Sequence, residues 1–299
     1  MCRGYYNLFT SYYHHDTIYW GVSELKLSIN ALLTFPVERT ITEIAEFIRR
    51  YVEAAGADGA VVGVSGGIDS SVALALAVKA LGKEHVTALI LPDRRATPNQ
   101  DVDDALTLVK LFDVRYHLIY IDDIVDAFSK IPFFDPDNNI ATGNLRARVR
   151  MNILYYFANR FNNLVLGTGD RSEILIGYFT KYGDGAVDLL PLACLYKTQV
   201  RHIAQWLGVP ERIIKKPSSP RLWPGHLAEK ELGMKYEDID LILYGLFDLG
   251  LTEEQLSELA GIRLELIERV ITLHRRSRHK RGFPPYPRLT WIREPLKEL

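Results

Sequence analysis

From residue 36 onward, short apolar runs alternate with longer stretches in which apolar residues recur every three to four positions. The first pattern predicts buried strands and the second predicts amphipathic helices. The predicted strands are residues 60–64, 86–91, 115–121 and 164–167. The predicted helices are residues 36–55, 68–82, 101–112, a helix that opens at 122, 143–160 and 196–207. This alternation predicts β-α-β units, and therefore an α/β fold with an open parallel sheet and helices on both faces.

The two ends of the chain depart from this alternation. Residues 1–35 are rich in Tyr and His and have no clear hydrophobic period, which predicts an N-terminal extension peripheral to the core. The extension is open to interpretation as an ordered arm, a strap for a partner or an artefact of the start site. Residues 236–280 show only helical patterns and are expected to form a helical C-terminal part beside the sheet. Residues 36–299 contain no internal repeat and are interpreted as one α/β domain.

Composition narrows the class of protein. The 299 residues include 36 Lys and Arg against 37 Asp and Glu, and this balance argues against a protein that coats nucleic acid or an anionic membrane. The two cysteines, Cys2 and Cys194, share no motif, which excludes a disulfide scaffold and a CxxC site. The sequence shows neither a secretory signal nor an apolar run long enough for a bilayer. We therefore expect a cytoplasmic protein without membrane or nucleic-acid partners.

The first strand-to-helix turn reads GVSGGIDSS over residues 63–71. In an open α/β sheet, ligands bind at the carboxyl ends of strands, where such turns lie. Two adjacent glycines let the backbone bring its N–H groups against an anion, and the following helix adds the positive end of its dipole. Ser65, Ser70 and Ser71 can donate to phosphate oxygens, and Asp69 can hold Mg²⁺. The alternative is a turn that only joins a strand to a helix, and the GxxxxGK[ST] pattern does not fit because no Lys follows the glycines.

This loop resembles the pyrophosphate-binding loop of the N-type ATP pyrophosphatases, which cleave ATP between its α and β phosphates. Further stretches narrow the resemblance: GNLRARVRM at 143–151, LGTGDRSE at 166–173, GYFTKYGDGAVDLLPL at 177–192 and YKTQV at 196–200. In their order and spacing they resemble the NAD synthetase family. The resemblance covers roughly residues 36–281.

The resemblance implies a set of ATP contacts and a magnesium site. The loop positions that match ATP contacts are Gly63, Val64, Ser65, Gly66, Gly67, Ile68, Asp69 and Ser70. Further ATP contacts are implied for Thr168, Lys197 and, by spacing, Ser219. The family holds Mg²⁺ with the residues that match Asp69 and Glu173. Without the motif, Glu173 is also open to interpretation as simple compensation of a helix dipole.

The resemblance also implies contacts with a dinucleotide substrate, deamido-NAD. Arg148, Lys181 and Asp188 match substrate-binding positions, and a C-terminal His-Lys pair is matched by His279 and Lys280. The alternative for His279 is an exposed basic helix end. The neighbouring Arg146 and Arg150 are open to interpretation as solvated or paired side chains.

The family chemistry agrees with these residue types. The nicotinate carboxylate of deamido-NAD attacks the α-phosphorus of ATP, and ammonia then displaces AMP from the adenylated carboxyl. Both substrates are anions, so Mg²⁺ on Asp69 and Glu173, together with Lys197, would offset their repulsion. Asp184 is the candidate acceptor for the proton that ammonium must lose. Its alternative interpretation is an Asp between two glycines that forms a turn.

The resemblance implies a nitrogen source and partners as well. Only about thirty-five residues precede the first core helix, too few for a glutaminase domain that would use Cys2 as its nucleophile. We therefore expect free ammonia, or ammonia from a separate protein, as the nitrogen donor, and the family implies a homodimer. The alternatives are a tRNA-modifying ATP pyrophosphatase, which would need a basic RNA-binding face, and a nucleotide-binding regulator without catalysis.

Two loops are expected to close over the site. Residues 92–98 follow the second predicted strand at its carboxyl end, and residues 215–225, the Pro-rich loop, carry Pro and basic residues. Trp223 in the Pro-rich loop is interpreted either as a lid anchor or as a buried side chain.

Overall fold

The computed structural model describes residues 26–287 and residue 291 of the chain. Four parallel strands form one sheet in the order β3-β2-β1-β4. The strands are β1 Gly59–Gly63, β2 Val86–Ile90, β3 Arg115–Leu118 and β4 Asn163–Leu166. The chain fills the sheet on one side of β1 with β2 and β3, and then crosses to the other side for β4. The order in which the chain adds strands therefore reverses between β1 and β4. Open α/β sheets bind their ligands at such a reversal of strand order.

Helices cover both faces of this sheet and form the C-terminal part. The helices are α1 Ile29–Leu33, α2 Val37–Ala54, α3 Ile68–Leu81, α4 Asn99–Leu111, α5 Asp122–Asp126, α6 Asn139–Arg160, α7 Arg171–Ile176, α8 Lys197–Trp206, α9 Glu211–Ile214, α10 Ala228–Leu232, α11 Tyr236–Phe247, α12 Glu253–Ala260 and α13 Leu264–Arg276. Short 3₁₀ turns cover Lys83–His85, Ala127–Lys130 and Arg278–Lys280. Among the described helices, none is long and apolar enough to cross a membrane.

Successive residues of β1 belong to different hydrophobic clusters because side chains alternate across a strand. Ala60 and Val62 pack with α2, α3 and α8 on one face, whereas Val61 packs with α6 on the other. Burial on both faces explains why β1 reads as a continuous apolar run. The predicted α/β fold with a parallel sheet and a helical C-terminal part is confirmed.

The structure differs from the sequence pattern in several elements. β3 ends at Leu118 instead of residue 121, and all four of its residues are exposed because it is the edge strand. α6 begins four residues earlier than predicted, where the Asn138 side chain caps it by accepting the Ala141 N–H. The short helices α9 and α10 have no amphipathic period long enough to predict them.

The described end of the N-terminal extension packs against the C-terminal helices. Leu32 is buried in a cluster formed mainly by α10, α11 and α13, and its carbonyl accepts a hydrogen bond from Gln199 of α8. The Leu27 N–H donates to the Leu259 carbonyl of α12. Residues 1–25, including Cys2, lie outside the described residues, so a peripheral extension stays a prediction for them.

Candidate active site

A cavity of about 430 Å³ opens where β1 and β4 end and α3 begins. Many of the residues singled out in the sequence line it. These are Gly63, Val64, Ser65, Gly67, Ile68, Asp69, Ser70, Thr168, Glu173, Asp184, Ser219 and Lys280. The reversal of strand order between β1 and β4 thus brings together motifs that are more than a hundred residues apart in the chain.

Hydrogen bonds from its own serines fix the conformation of the loop after β1, together with a glycine that leaves no space for a side chain. Gly66 has a φ of 76°, and a Cβ placed there would lie 2.1 Å from the Asp101 carbonyl oxygen. The Ser70 hydroxyl donates to the Gly67 carbonyl and accepts the Ser65 N–H, which fixes the turn into α3. The result is a rigid cradle at a helix N-terminus, a site that favours an anion.

Behind this loop, one buried lysine meets three carboxylates. Lys197 Nζ lies 2.6 Å from Asp69 Oδ2, 2.9 Å from Asp170 Oδ2 and 2.9 Å from Glu173 Oε1. Lys197 is fully buried and does not line the cavity, whereas Asp69 and Glu173 reach it. Local structure explains the convergence, because Lys197 begins α8, and Asp170 caps α7 in a capping box with Glu173.

The charges of this cluster do not balance. Burial alone would lower the pKa of Lys197, but the Asp170, Asp69 and Glu173 carboxylates outweigh it and raise that pKa well above its ordinary value. Burial raises the pKa of Asp170 to about 6, and it raises the pKa of Glu173 well above the usual range, against the opposing attraction of Lys197. One ammonium therefore compensates three carboxylates only in part, and an additional cation would be favoured there.

Asp240 of α11 clamps the two helices that carry this cluster. Its carboxylate accepts the Ser172 hydroxyl at 2.5 Å and the Thr198 N–H at 2.8 Å, and the Ser172 oxygen in turn accepts the Lys197 N–H at 2.9 Å. Burial raises the pKa of Asp240 to about 7. The helical C-terminal part therefore positions Glu173 and Lys197 through the residues next to them. The only sequence signal for Asp240 is an Asp within an apolar helical run.

Three residues expected at the dinucleotide lie outside the cavity, along one face of α6. Arg148 is exposed and donates to the Lys181 carbonyl, and Tyr155, seven residues further along α6, donates to Asp188 Oδ1. Asp188 Oδ2 also accepts the Val165 N–H at 2.7 Å. Positions seven apart share a helix face, so Arg148, Lys181 and Asp188 follow the same side of α6.

The C-terminal pair is divided between the cavity and the surface. Lys280 lines the cavity and donates to the carbonyls of Gly177 and Phe179, whereas His279 is exposed and does not line it. Asp184 accepts the Thr180 N–H in a tight turn, and desolvation by the cavity wall raises its pKa. The turn interpretation and a role as proton acceptor are thus compatible for Asp184.

Arg146 and Arg150 of α6 are paired rather than solvated. Arg146 is buried, and its guanidinium contacts Asp93 Oδ2 at 2.7 Å and the Leu222 carbonyl at 2.8 Å, which ties α6 to the Pro-rich loop. Arg150 donates to the Leu91 carbonyl and lines the cavity, and burial lowers its pKa to about 10.

A hydrogen-bonded cluster in the cavity wall was not found from the sequence. Glu231 Oε2 accepts the Tyr178 hydroxyl at 2.6 Å and lies 2.7 Å from His226 Nε2. The Trp223 ring stacks on the His226 ring with centroids 3.5 Å apart. Trp223 is half-buried, and this contact anchors the Pro-rich loop. Spacing gives no signal for the cluster, because Tyr178 lies 48 residues from His226.

The chain is similar to known proteins over most of its length. Residues 40–284 match the family described as NAD synthase. The curated NH(3)-dependent NAD(+) synthetase of Staphylothermus marinus is 55% identical over 273 residues, which cover 91% of this chain and 99% of that relative. The chain belongs to the NAD synthase family.

Solved structures agree with membership of the NAD synthase family. An NH3-dependent NAD synthetase from Campylobacter jejuni, solved with a nitrate ion, is 31% identical with a TM-score of 0.72. An NMN synthetase from Francisella tularensis is 36% identical with a TM-score of 0.75. Both matches cover 85% of this chain and all of the solved chain. The family predicted from the four motifs is confirmed.

Proposed function

We propose that this chain is an ammonia-dependent NAD synthetase, a ligase that forms the C–N bond of the last step of NAD biosynthesis. Its substrates are ATP, deamido-NAD and ammonia, and its products are NAD, AMP and pyrophosphate. The observation that carries the proposal is the cavity at the sheet reversal, where the Gly-rich loop meets Lys197 and its carboxylates. Relatives named NH(3)-dependent NAD(+) synthetase and matched over nearly their full length support it.

The loop after β1 binds the phosphates of ATP. Its N–H groups and the N-terminus of α3 favour the anion, and Ser65 and Ser70 add hydroxyl donors. Thr168 and Ser219 line the same cavity and are assigned as further ATP contacts. Lys197 supplies positive charge behind Asp69, which lowers the repulsion between the nicotinate carboxylate and the α-phosphate that it attacks.

The carboxylates around Lys197 fit a magnesium ion, with Asp69 and Glu173 as its protein ligands. Asp69 Oδ1 is buried and has no hydrogen-bond partner among the described residues. Within residues 26–287, no group of three or more His, Cys, Asp or Glu could hold a metal by itself. That donor set suits Mg²⁺, which binds one or two carboxylates and completes its shell with phosphate oxygens and water. When bound, the ion would offset the negative charge of both substrates.

Asp184 accepts the proton that ammonium loses before the amine attacks the adenylated carboxyl. Its carboxylate lines the cavity, and the upward direction of its pKa brings it closer to the range in which a base exchanges protons at neutral pH. Lys280, on the same cavity wall, is assigned to the nicotinate end of deamido-NAD. Arg148, Lys181 and Asp188 hold the remainder of the dinucleotide along α6, with His279 as a surface contact.

The protein forms a homodimer through the exposed side of α5 and α6. Apolar side chains are exposed there, and Ile124 and Tyr156 border a surface pocket of about 210 Å³. Contiguous exposed apolar surface is typical of a protein interface. An interface beside the α6 face would also enclose deamido-NAD between two copies, which agrees with substrate residues that lie outside the cavity of one chain.

The dimer predicts an effect of charge on this surface. Replacing Ile124 and Tyr156 together by Asp is expected to halve the mass measured by sedimentation equilibrium, because each carboxylate would have to be desolvated at the interface. Tyr51→Asp is the control, since Tyr51 is also an exposed tyrosine but belongs to α2. An unchanged mass in the double variant, or the same loss in the control, would contradict this interface.

The direct test supplies the purified chain with Mg²⁺-ATP, deamido-NAD and ammonium, and measures NAD and AMP by chromatography. We expect the two products in equal amounts, and no NAD when glutamine replaces ammonium. Turnover with glutamine alone would contradict free ammonia as the donor. Absence of NAD, with ATP cleaved only when tRNA is added, would favour the tRNA-modifying alternative instead.

The identity of the acceptor needs its own comparison, because one similar solved structure is an NMN synthetase. Nicotinate mononucleotide lacks the adenylate half that the α6 face is proposed to hold. We expect its kcat/KM to be about 100-fold lower than that of deamido-NAD, since contacts to the missing half would be lost. A higher kcat/KM for the mononucleotide would overturn deamido-NAD as the preferred acceptor.

A further inference from the structure

Arg221 in the Pro-rich loop has an unusual backbone conformation. Its φ is +49°, a left-handed region that L-residues with long side chains rarely adopt because Cβ approaches the following carbonyl oxygen. Neighbouring contacts hold the strained turn: the Arg221 N–H donates to Ser219 Oγ, and the next carbonyl, of Leu222, accepts from Arg146. Strain that is fixed on both sides and lies at a cavity wall points to a functional role for the side chain.

Arg221 lines the cavity, and the hydrogen-bond donors of its guanidinium are only partly used. Its Nε donates to Asp101 Oδ2 at 2.6 Å, and its two terminal nitrogens have no hydrogen-bond or ion-pair partner among the described residues. A guanidinium carries five N–H donors in a rigid fork, so four donors remain for a ligand. Asp101 is buried, which makes it a fixed anchor for the side chain.

The neighbouring Lys216 has no donor left to offer. Its Nζ lies 2.9 Å from the Gly66 carbonyl and 2.9 Å from Asp101 Oδ1, and it also pairs with Asp104 Oδ2. An ammonium has three N–H donors, and these contacts account for all of them. Lys216 therefore positions Asp101 against the Gly-rich loop, and Arg221 carries the free donors.

The anchor places Arg221 beside the phosphate-binding loop. The Asp101 carbonyl lies directly under Gly66, and the Asp101 carboxylate holds Arg221 on its other side. Three cations surround two carboxylates in this group, which leaves one positive charge in excess. The members are Arg212, Lys216 and Arg221 with Asp101 and Asp104. An anion beside the loop would meet that excess charge.

We propose that Arg221 binds the β and γ phosphates of ATP through its terminal N–H groups. The inference rests on the proposed function, in which the loop after β1 holds ATP. When the nicotinate carboxylate oxygen bonds to the α-phosphorus, the bond from that phosphorus to the αβ bridging oxygen breaks and its electron pair leaves with pyrophosphate. Arg221 donates to the charge that develops on this leaving group, and a planar fork matches phosphate oxygens in a bidentate manner.

Arg221→Asn tests the proposal, because Asn tolerates a positive φ and removes the charge. With deamido-NAD saturating, we expect KM for ATP to rise about 10- to 100-fold, as for the loss of a charge-assisted hydrogen bond. Product inhibition by pyrophosphate should weaken by a similar factor, while KM for deamido-NAD changes less than about twofold. Arg221→Lys keeps the charge and the contact with Asp101, so it should recover part of the affinity; it also decides the matter if the Asn variant does not fold.

Arg212→Ala is the matched control. Arg212 pairs with Asp104 and donates to Thr107, but it does not line the cavity. Its loss removes the same charge from the same group and should leave KM for ATP within about twofold. An equal rise in KM for ATP in this control would overturn the proposal. The electrostatic potential of the whole group, and not a direct contact of Arg221 with ATP, would then explain the effect.

Two further outcomes would overturn the role of Arg221. One is an unchanged KM for ATP together with unchanged pyrophosphate inhibition in a folded Arg221 variant. The other is a selective rise in KM for deamido-NAD, which would assign Arg221 to the dinucleotide's own phosphates. Calorimetric binding of Mg²⁺-ATP without deamido-NAD keeps the test independent of turnover. Should the unsubstituted chain form no NAD, the proposed function fails, while the calorimetric comparison of Arg221→Asn with Arg212→Ala still decides on Arg221.

Discussion

Replacing Lys197 by Met is expected to slow NAD formation severely and, without magnesium, to lower the free energy of unfolding by about 3–5 kcal/mol. Met has a similar length and no charge, so the variant leaves Asp69, Asp170 and Glu173 facing one another without their ammonium. Removing one partner of a buried ion pair lowers the free energy of unfolding more than replacing both partners by apolar residues, because the remaining charge stays desolvated. Loss of the positive charge behind Asp69 should reduce kcat by about 1000-fold or more.

Urea unfolding with and without magnesium chloride measures the stability part of this prediction. A divalent cation held by Asp69 and Glu173 should restore part of the lost stability, because it compensates the same carboxylates. Lys83→Met is the control, since Lys83 pairs with Asp113 at the surface and its loss should hardly change the free energy of unfolding. Equal stability losses in the two variants, or a Lys197→Met variant that forms NAD at an unchanged rate, would contradict the assigned role of Lys197.

The sequence predicts those parts of the site that lie within one continuous motif. The strand-loop-helix around residues 63–71 follows from its apolar run and its glycines, and the resemblance supplied Glu173 and Lys197 as site residues before the structure placed them 2.9 Å apart. The edge position of β3 was not predicted, although Arg115 and His117 alternate along it and interrupt the apolar run that β1 and β2 show. The hydrophobic pattern of a segment indicates which of its faces is apolar, but it does not indicate which strand or helix packs against that face.

Contacts between distant segments account for most of what the sequence did not predict. Asp240 reaches Ser172 across 68 residues, and Arg221 reaches Asp101 across 120. Such pairs depend on how helices pack, and neither has a spacing that a motif could show. Arg148 and Asp188, which are proposed to bind the dinucleotide, illustrate the same limit, since the motifs indicated them but gave no sign that they lie outside the cavity.

Asp69→Asn is expected to lower the rate of NAD formation by about 1000-fold or more while the fold keeps its stability. Asp69 is the proposed magnesium ligand next to the phosphate-binding loop, so its loss removes the assigned site. It is also one of three carboxylates around a single ammonium, and its charge contributes to the raised pKa values of Asp170 and Glu173. A neutral amide relieves that repulsion, so a residue needed for activity is expected to be electrostatically unfavourable to the metal-free fold.

The pH dependence of stability distinguishes this explanation from a simple loss of structure. The folded-state pKa of Asp170, about 6, lies above its ordinary value of 3.8, so the folded state holds this proton more tightly than the unfolded state. The resulting stability is complete below about pH 4 and is lost as pH rises through about 6. In EDTA, the unfolding free energy of the unsubstituted chain should therefore fall across that window, and that of Asp69→Asn should fall less.

Urea unfolding at pH 4, 6 and 8 in EDTA, with NAD formation measured over a magnesium titration, checks both halves of this prediction. Asp113→Asn is the control for activity, since Asp113 is an exposed carboxylate whose pair with Lys83 lies away from the cavity. An Asp69→Asn variant that is less stable than the unsubstituted chain at pH 8 would show that Asp69 supports the fold. A variant with an unchanged rate would remove Asp69 from the magnesium site. The expected combination is a lost rate with retained stability. It would indicate that the three carboxylates around Lys197 bind a cation together with the substrate and do not stabilise the fold.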